Sequence, residues 1–174
     1  MALIWREATG PLACAWLDTP VGALRLSARG DVLVSIDWDD EARAGEPPSP
    51  FLRQACAALQ RYFQSPAAPE LAAVPLHPAG TAYQRRVWER LAAIPPGQVL
   101  GYGQLARELG SGARAVAAAC RANPYPLLVP CHRVVAAHGL GGYCGASDGH
   151  WLDVKRFLLA YEQGGAGVGY GRGA

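Results

Sequence analysis

The chain has 174 residues, 51% of them hydrophobic and 17% charged, with 21 Gly and 14 Pro. Such a chain can bury a core as one domain or two small ones, and its apolar content excludes a disordered polymer. No apolar run approaches the roughly 20 residues of a membrane span, and Met1 to Glu7 lacks the basic flank and apolar core of a secretory signal. The expectation is a soluble cytoplasmic protein. Charge is uneven: residues 1–75 hold 6 Lys+Arg against 9 Asp+Glu, and residues 76–174 hold 10 against 5. A basic second half suits a polyanion such as nucleic acid, although a surplus of this size also occurs on surfaces that bind nothing. Five cysteines, Cys14, Cys56, Cys120, Cys131 and Cys144, form no C-x-x-C pair. Neither a disulfide framework nor a zinc cluster is implied, so each thiol is read singly.

In chain order, Ala13–Leu17, Gly22–Ser27 and Val32–Trp38 read as short strands, with turn chemistry at Thr19–Gly22 and Ala28–Asp31. An antiparallel meander is predicted. Asp39–Pro50 is an acidic, Pro-containing loop. Ser49-Pro50 opens a helix over 51–63, in which Leu52, Ala55, Leu59 and Tyr62 recur at helical spacing. Residues 65–80 carry Pro66, Pro69, Pro75 and Pro78 without a period and read as a linker.

Thr81 and Gln84 form a capping-box pattern ahead of the stripe Tyr83, Val87, Leu91 and Ile94, and Pro95-Pro96-Gly97 stops that helix. Two short helices, Tyr102–Leu109 and Ala113–Ala122, flank Gly110-Ser111-Gly112. Spacing fits either a helix-turn-helix or an ordinary helical hairpin. Pro124, Pro126 and Pro130 then force an extended path, a Gly-rich loop runs from Gly139 to Gly149, and a last helix spans 151–163 with Gly164 as its C-cap. Residues 164–174 read as a flexible Gly-rich tail. The resulting expectation is three segments: 1–78, 79–163 and 164–174.

Cys131-His132-Arg133 is the sharpest chemical feature. An imidazole can take a thiol proton, and Arg133 adds positive charge that favours thiolate. Neighbours on an extended segment point to opposite sides, however, so contact between Cys131 and His132 requires a bend or a bridging water. From the residues alone, a catalytic pair and an accidental dipeptide both remain open.

The surrounding words extend the argument. Pro130-Cys131-His132-Arg133-Val134-Val135 resembles the active-site signature of the O6-alkylguanine-DNA alkyltransferases, also called methylated-DNA–protein-cysteine methyltransferases. Further blocks in family order are Tyr83–Trp88, Ile94–Gly97, Tyr102–Ala106, Ala113–Val116, Arg121–Pro124, Gly142-Tyr143 and Leu158–Glu162. They cover residues 80 to 163, and Thr19–Gly22 carries a looser likeness in the front third.

The resemblance implies an α+β protein: a small N-terminal α/β domain with an antiparallel, ribonuclease H-like sheet, then a mainly helical winged helix-turn-helix domain. It implies direct, irreversible transfer of an alkyl group from O6-alkylguanine in DNA, and less readily from O4-alkylthymine, to Cys131. His132 would accept the thiol proton through a water, Glu162 would orient His132, and Tyr102 would meet the departing guanine with a proton. The helix after the turn would enter the minor groove, with Arg114 filling the space of a flipped nucleotide beside Ala113 and Ala115. Arg121 would contact phosphate, and Asn123 would brace the active-site loop. Pro126 and Tyr143 would wall the pocket, with the backbones of Val134 and Cys144 touching the base. The implied partner is double-stranded DNA carrying O6-alkylguanine, with no membrane, no obligate protein partner, no cofactor, and a monomeric state.

Three departures qualify the likeness. The stretch from Tyr143 to Lys155 is several residues longer than is usual in the family, which bears on adduct size. The turn at 110–112 is short, and Ala117-Ala118 stand where glycines are frequent. Some members hold an N-terminal zinc, but Cys14 and His77 cannot supply four ligands, so no metal is expected. Three rivals remain: a non-catalytic damage binder, which would carry another residue at 131; a helix-turn-helix regulator that senses alkylation, which would need a further domain; and a cysteine hydrolase.

Overall fold

A computed structural model describes residues 1–39, 43, 45–67 and 69–164. The chain falls into two compact units: Ala2–Ala79 together with Pro124–Leu128, and Gly80–Asn123 together with the chain from Val129 onward. The predicted tail lies outside the described residues, save Gly164.

The first unit is built on strands β1 (Ile4–Trp5), β2 (Leu12–Thr19), β3 (Gly22–Arg29), β4 (Val32–Asp39) and β5 (Pro75–Leu76), with helix α1 (Pro50–Tyr62). Alternation in β2 and β3 sends Ala15, Leu17, Leu24 and Leu26 into the core, where α1 contributes Leu52, Ala55 and Leu59. Ser49 caps α1 by accepting from the Leu52 N–H at 3.1 Å, with Pro50 in the first turn. The meander β2–β3–β4 is antiparallel as predicted, but the sheet is mixed, in the order β1-β5-β4-β3-β2, because β5 pairs in parallel with both β4 and β1. Strands β1 and β5 are two residues long, too short for a period to show. The supposed linker is therefore partly sheet. It holds a 3-10 turn over Pro69–Ala73 and then β5, and the His77 N–H continues the ladder to the Leu33 carbonyl at 2.8 Å.

The second unit contains α2 (Ala82–Ala92), β6 (Leu100–Gly101), α3 (Tyr102–Glu108), α4 (Ala113–Arg121), β7 (Val134–Val135) and α5 (His150–Glu162). The capping box at α2 is complete: Thr81 Oγ1 accepts from the Gln84 N–H, and Gln84 Oε1 accepts from the Thr81 N–H. The helices α3 and α4 form the helix-turn-helix, its turn pinned by the Ser111 N–H to the Ala106 carbonyl at 2.8 Å. Trp88 of α2 holds α4 from behind, donating Nε1–H to the Ala119 carbonyl at 2.9 Å. Beside this pair, β6 and β7 form a small parallel ladder. The cap of α5 is Gln163 rather than Gly164, which follows it with φ +79, the left-handed conformation that glycine tolerates.

The predicted extended path over 123–135 is two things. Residues 124–128 pack with the sheet unit, where Tyr125 donates its hydroxyl to the His77 carbonyl at 2.6 Å. Cys131–Arg133 is a 3-10 turn rather than extended chain, so the alternation of a strand does not apply to Cys131 and His132. Among the described residues no helix is long and apolar enough to cross a membrane.

Candidate active site

The 3-10 turn buries Cys131, His132 and Arg133 together; His132 has no exposed surface. The last residue of α5, Glu162, meets them. Its Oε1 receives His132 Nε2 at 2.8 Å and Arg133 Nη2 at 2.8 Å, while Oε2 receives Arg133 Nε at 2.9 Å and the Gly97 N–H at 3.3 Å. Arg133 also donates to the Ile94 carbonyl. Burial alone would raise the Glu162 carboxyl, but the hydrogen bonds from His132 and Arg133 outweigh it and hold the group well below the usual carboxylate range. Glu162 is therefore an anion, and the proton between it and His132 sits on Nε2. Burial lowers the His132 pKa, so the ring is neutral and its Nδ1 carries the lone pair. That Nδ1 is buried and makes no hydrogen bond within the protein. The array thus presents a basic nitrogen, oriented from behind by a carboxylate.

The sequence reading assigned the charge of Arg133 to the thiol. The structure commits it to Glu162 instead, through a two-pronged ion pair that fixes both oxygens. Gly97 is required here for its shape: at φ +78, a Cβ would lie 2.9 Å from the Glu162 carbonyl oxygen. The Pro95-Pro96-Gly97 break therefore also delivers a backbone donor to the carboxylate.

Burial pushes the Cys131 thiol up, while a hydrogen bond with the Asn123 side chain and the nearby Lys155 charge pull it back only in part. At rest the thiol is protonated. Asn123 also donates Nδ2–H to the Val129 carbonyl at 2.8 Å, tying the end of α4 to the segment that carries Cys131.

Cys131 lines a cavity of about 330 Å3 together with Tyr102, Cys120, Arg121, Tyr143 and Cys144. Tyr102 opens α3; burial raises its pKa, so it is a proton donor at neutral pH, and its hydroxyl donates to the Gly142 carbonyl at a long 3.4 Å. Gly141, at φ +69, lets the loop pass Tyr102, because a Cβ there would fall 2.9 Å from the ring. Two expected pocket residues are not in the wall. Pro126 is buried in the 124–128 segment of the sheet unit, and the Val134 backbone is already engaged, its N–H with the Cys131 carbonyl and its carbonyl with Lys155.

Lys155 and Cys120 are the residues that the sequence reading missed. Lys155 is fully buried and spends its three protons on the carbonyls of Val134, Leu140 and Gly142 at 2.6, 2.7 and 3.0 Å. Burial pushes its pKa down to about 8. It is the one lysine of the chain and lies in the apolar stripe of α5, between Leu152 and Leu159, where a charged residue needs a partner. That spacing was the available signal. Cys120, on the inward face of α4, reaches the cavity wall.

On the outer face of α4, Ala113, Arg114, Ala115, Ala117 and Ala118 are exposed, while Val116, Ala119 and Cys120 face inward. Arg114 and Arg121 flank a shallow depression floored by Ala117, Ala118 and Ala122. The helix carries no acidic residue. Among the described residues no three His, Cys, Asp or Glu side chains converge as a metal site.

Comparison with known proteins agrees with this geometry. Residues 82–164 match the model described as the 6-O-methylguanine DNA methyltransferase DNA binding domain, and residues 12–77 match the ribonuclease-like domain of the same methyltransferases. A methylated-DNA–protein-cysteine methyltransferase of Mycobacterium leprae is 39% identical over 86% of this chain and 92% of its own length. A crystal structure of Mycobacterium tuberculosis O6-methylguanine methyltransferase superposes with TM-score 0.73 at 34% identity, covering 91% of this chain and 96% of the other. The protein from that organism in complex with DNA gives 0.70 at 34% identity, covering 88% and 94%. With both regions matched in order and a buried Cys-His-Glu array in the second, the chain belongs to the methylated-DNA–protein-cysteine methyltransferase family.

Proposed function

We propose that Cys131 is the residue that takes the alkyl group. The activity of the family, DNA repair by alkyl transfer from methylated DNA to a cysteine of the protein itself, is the activity of this chain. The observation that carries the assignment is the buried His132–Glu162–Arg133 array next to a thiol that lines a cavity.

In this reading a water bridges Cys131 Sγ and His132 Nδ1. As Sγ attacks the alkyl carbon in line, the thiol proton passes through the water to Nδ1, and the imidazolium that forms is stabilised by the Glu162 anion. The carbon–O6 bond breaks and its electrons enter the guanine. Tyr102, weakly committed to the Gly142 carbonyl, turns to donate a proton to the departing base. The product is a thioether with no ready leaving group, so each molecule reacts once, on O6-alkylguanine and less readily on O4-alkylthymine. Lys155 holds the loop carbonyls in place around the cavity.

The substrate is double-stranded DNA, and the target nucleotide must leave the stack at a cost of a few kcal/mol. The alanine face of α4, with Ala113 and Ala115, is small enough to approach a narrow minor groove. Arg114 fills the vacated space and Arg121 meets phosphate. Asn123 braces the thiol-bearing segment, Tyr143 walls the cavity, and the Cys144 backbone touches the base. Residues 79–163 carry this chemistry, residues 1–78 form the accompanying domain, and the protein works as an intracellular monomer without a cofactor.

Cys131→Ser tests the assignment. The variant should bind a duplex containing O6-methylguanine yet transfer nothing; retained transfer would overturn the reading.

A further inference from the structure

Alkyl transfer accounts for one cysteine, but three line the cavity: Cys131, Cys120 from the last turn of α4, and Cys144. All three are free of disulfides; Cys120 and Cys131 are buried and Cys144 is exposed. The two buried thiols are unlike in reactivity. Cys131 stands beside a basic array, whereas the Cys120 thiol is pushed up to about 12, first by burial and then by the neighbouring Cys131. Both are protonated at rest, but Cys131 has the His132–Glu162 base in its own turn, whereas Cys120 has none on its helix. Cys144 sits outside this pair, at φ +47, in a turn closed by reciprocal 2.9 Å hydrogen bonds between Tyr143 and Ala146.

We propose that Cys120 is a resolving thiol for Cys131, making the pair a site of reversible oxidation by hydrogen peroxide. The inference rests on Cys131 being the activated nucleophile of the proposed function, since the same sulfur that attacks an alkyl carbon attacks a peroxide oxygen. In the first step Cys131 Sγ bonds to one peroxide oxygen, the O–O bond breaks, and water leaves a sulfenic acid. In the second, His132 takes the Cys120 proton through a cavity water as Cys120 Sγ attacks the sulfenic sulfur, the S–O bond breaks, and that proton leaves with the departing hydroxide as a second water. The two thiols lose two electrons in total and one peroxide gains them. A thiol reductant then restores both side chains by exchange.

The consequence follows from the oxidation ladder. A sulfenic acid left alone proceeds to sulfinic acid, which thiols do not reverse. For a protein that reacts once, that step discards the molecule before any lesion is met. A second thiol lining the same cavity intercepts the sulfenic acid, and a cavity of about 330 Å3 has room for peroxide.

The test treats reduced full-length protein with hydrogen peroxide, blocks remaining thiols, and maps the linked peptides by mass. The expected product is a Cys120–Cys131 link, two hydrogens lighter than the reduced pair. Transfer from an O6-methylguanine duplex should fall about tenfold or more and return with dithiothreitol. Cys120→Ser, compared with its own reduced activity, should lose transfer to the same oxidant without recovery, with Cys131 carrying two or three oxygens. A Cys131–Cys144 link, a link between chains, a Cys131 sulfinate in the native sequence, or full recovery in Cys120→Ser would each overturn the inference. The native-sequence map does not depend on the variant folding. If the reduced protein instead fails to label Cys131 from the duplex, the acceptor assignment falls, and the peroxide map still reports separately on the thiol pair.

Discussion

The interiors of the two units are built on different principles. In the sheet unit the buried polar residues among those described are Thr19 and Ser27, and the ion pairs Arg25–Asp37 and Arg61–Glu70 lie half in solvent. Leu24, Leu26, Leu33, Leu52 and Leu59 fill the rest. In the helical unit His132, Arg133, Lys155 and Glu162 are all buried, and nearly every polar atom they bring has a partner. Burying charge rarely stabilises a fold better than hydrocarbon would, so its concentration in one place marks a working site rather than a structural device. Among these four residues, the buried atom without a hydrogen bond within the protein is His132 Nδ1, the one that the proposed mechanism uses.

The contrast can be broken most severely at Glu162. Glu162→Gln leaves the Arg133 guanidinium buried without its counter-charge and should cost about 3–5 kcal/mol in chemical denaturation, together with most of the transfer rate. A change below 1 kcal/mol, on the order expected for a surface pair, would make the array ornamental.

Acid should reach the same site next. A buried, neutral His132 has a folded pKa below its unfolded value, so stability declines as pH falls below about 6.5, the ordinary histidine value. Glu162 is also depressed, so its contribution is present above about 4.3, the ordinary glutamate value, and is lost as pH drops towards its folded pKa. A titration of stability by denaturant melts should show both declines, and Glu162→Gln should remove the lower one. A profile flat from pH 7 to 3 would contradict the assigned protonation states.

On the exposed face of α4 the effect should be selective. Arg114→Ala should slow repair in duplex by about tenfold, roughly 1.4 kcal/mol, while leaving reaction with a free O6-alkylguanine base nearly unchanged. Equal losses on both substrates would remove Arg114 from nucleotide extrusion. The smallest effect belongs to the sheet unit: Arg25→Ala, which deletes a half-exposed pair to Asp37 at 3.2 Å, should shift stability by about 0–1 kcal/mol.

The sequence made local features legible and long-range ones not. Caps at Ser49 and Thr81, the helix-turn-helix and the meander each rest on signals within a few residues, and each is present. Strands β1 and β5 are two residues long and acquire meaning only by pairing in parallel across some 70 positions, which no local pattern announces. In the site, His132 and Glu162 lie 30 residues apart, and only the family resemblance linked them. Reasoning from adjacency misassigned Arg133, because on a 3-10 turn its guanidinium reaches Glu162 from α5 rather than serving the thiol beside it in sequence. Lys155 went unread because a lone lysine on a helix is ordinarily solvated; its burial depends on loop carbonyls that sequence does not place.

The most direct measurement is peptide mapping after one turnover. Protein incubated with a duplex containing a single O6-methylguanine, then digested and weighed, should carry one added methyl on the Cys131 peptide, with the cytosine-paired guanine restored in the DNA. A methyl on Cys120, Cys144 or any other residue, or an unmodified protein beside a repaired lesion, would contradict the account.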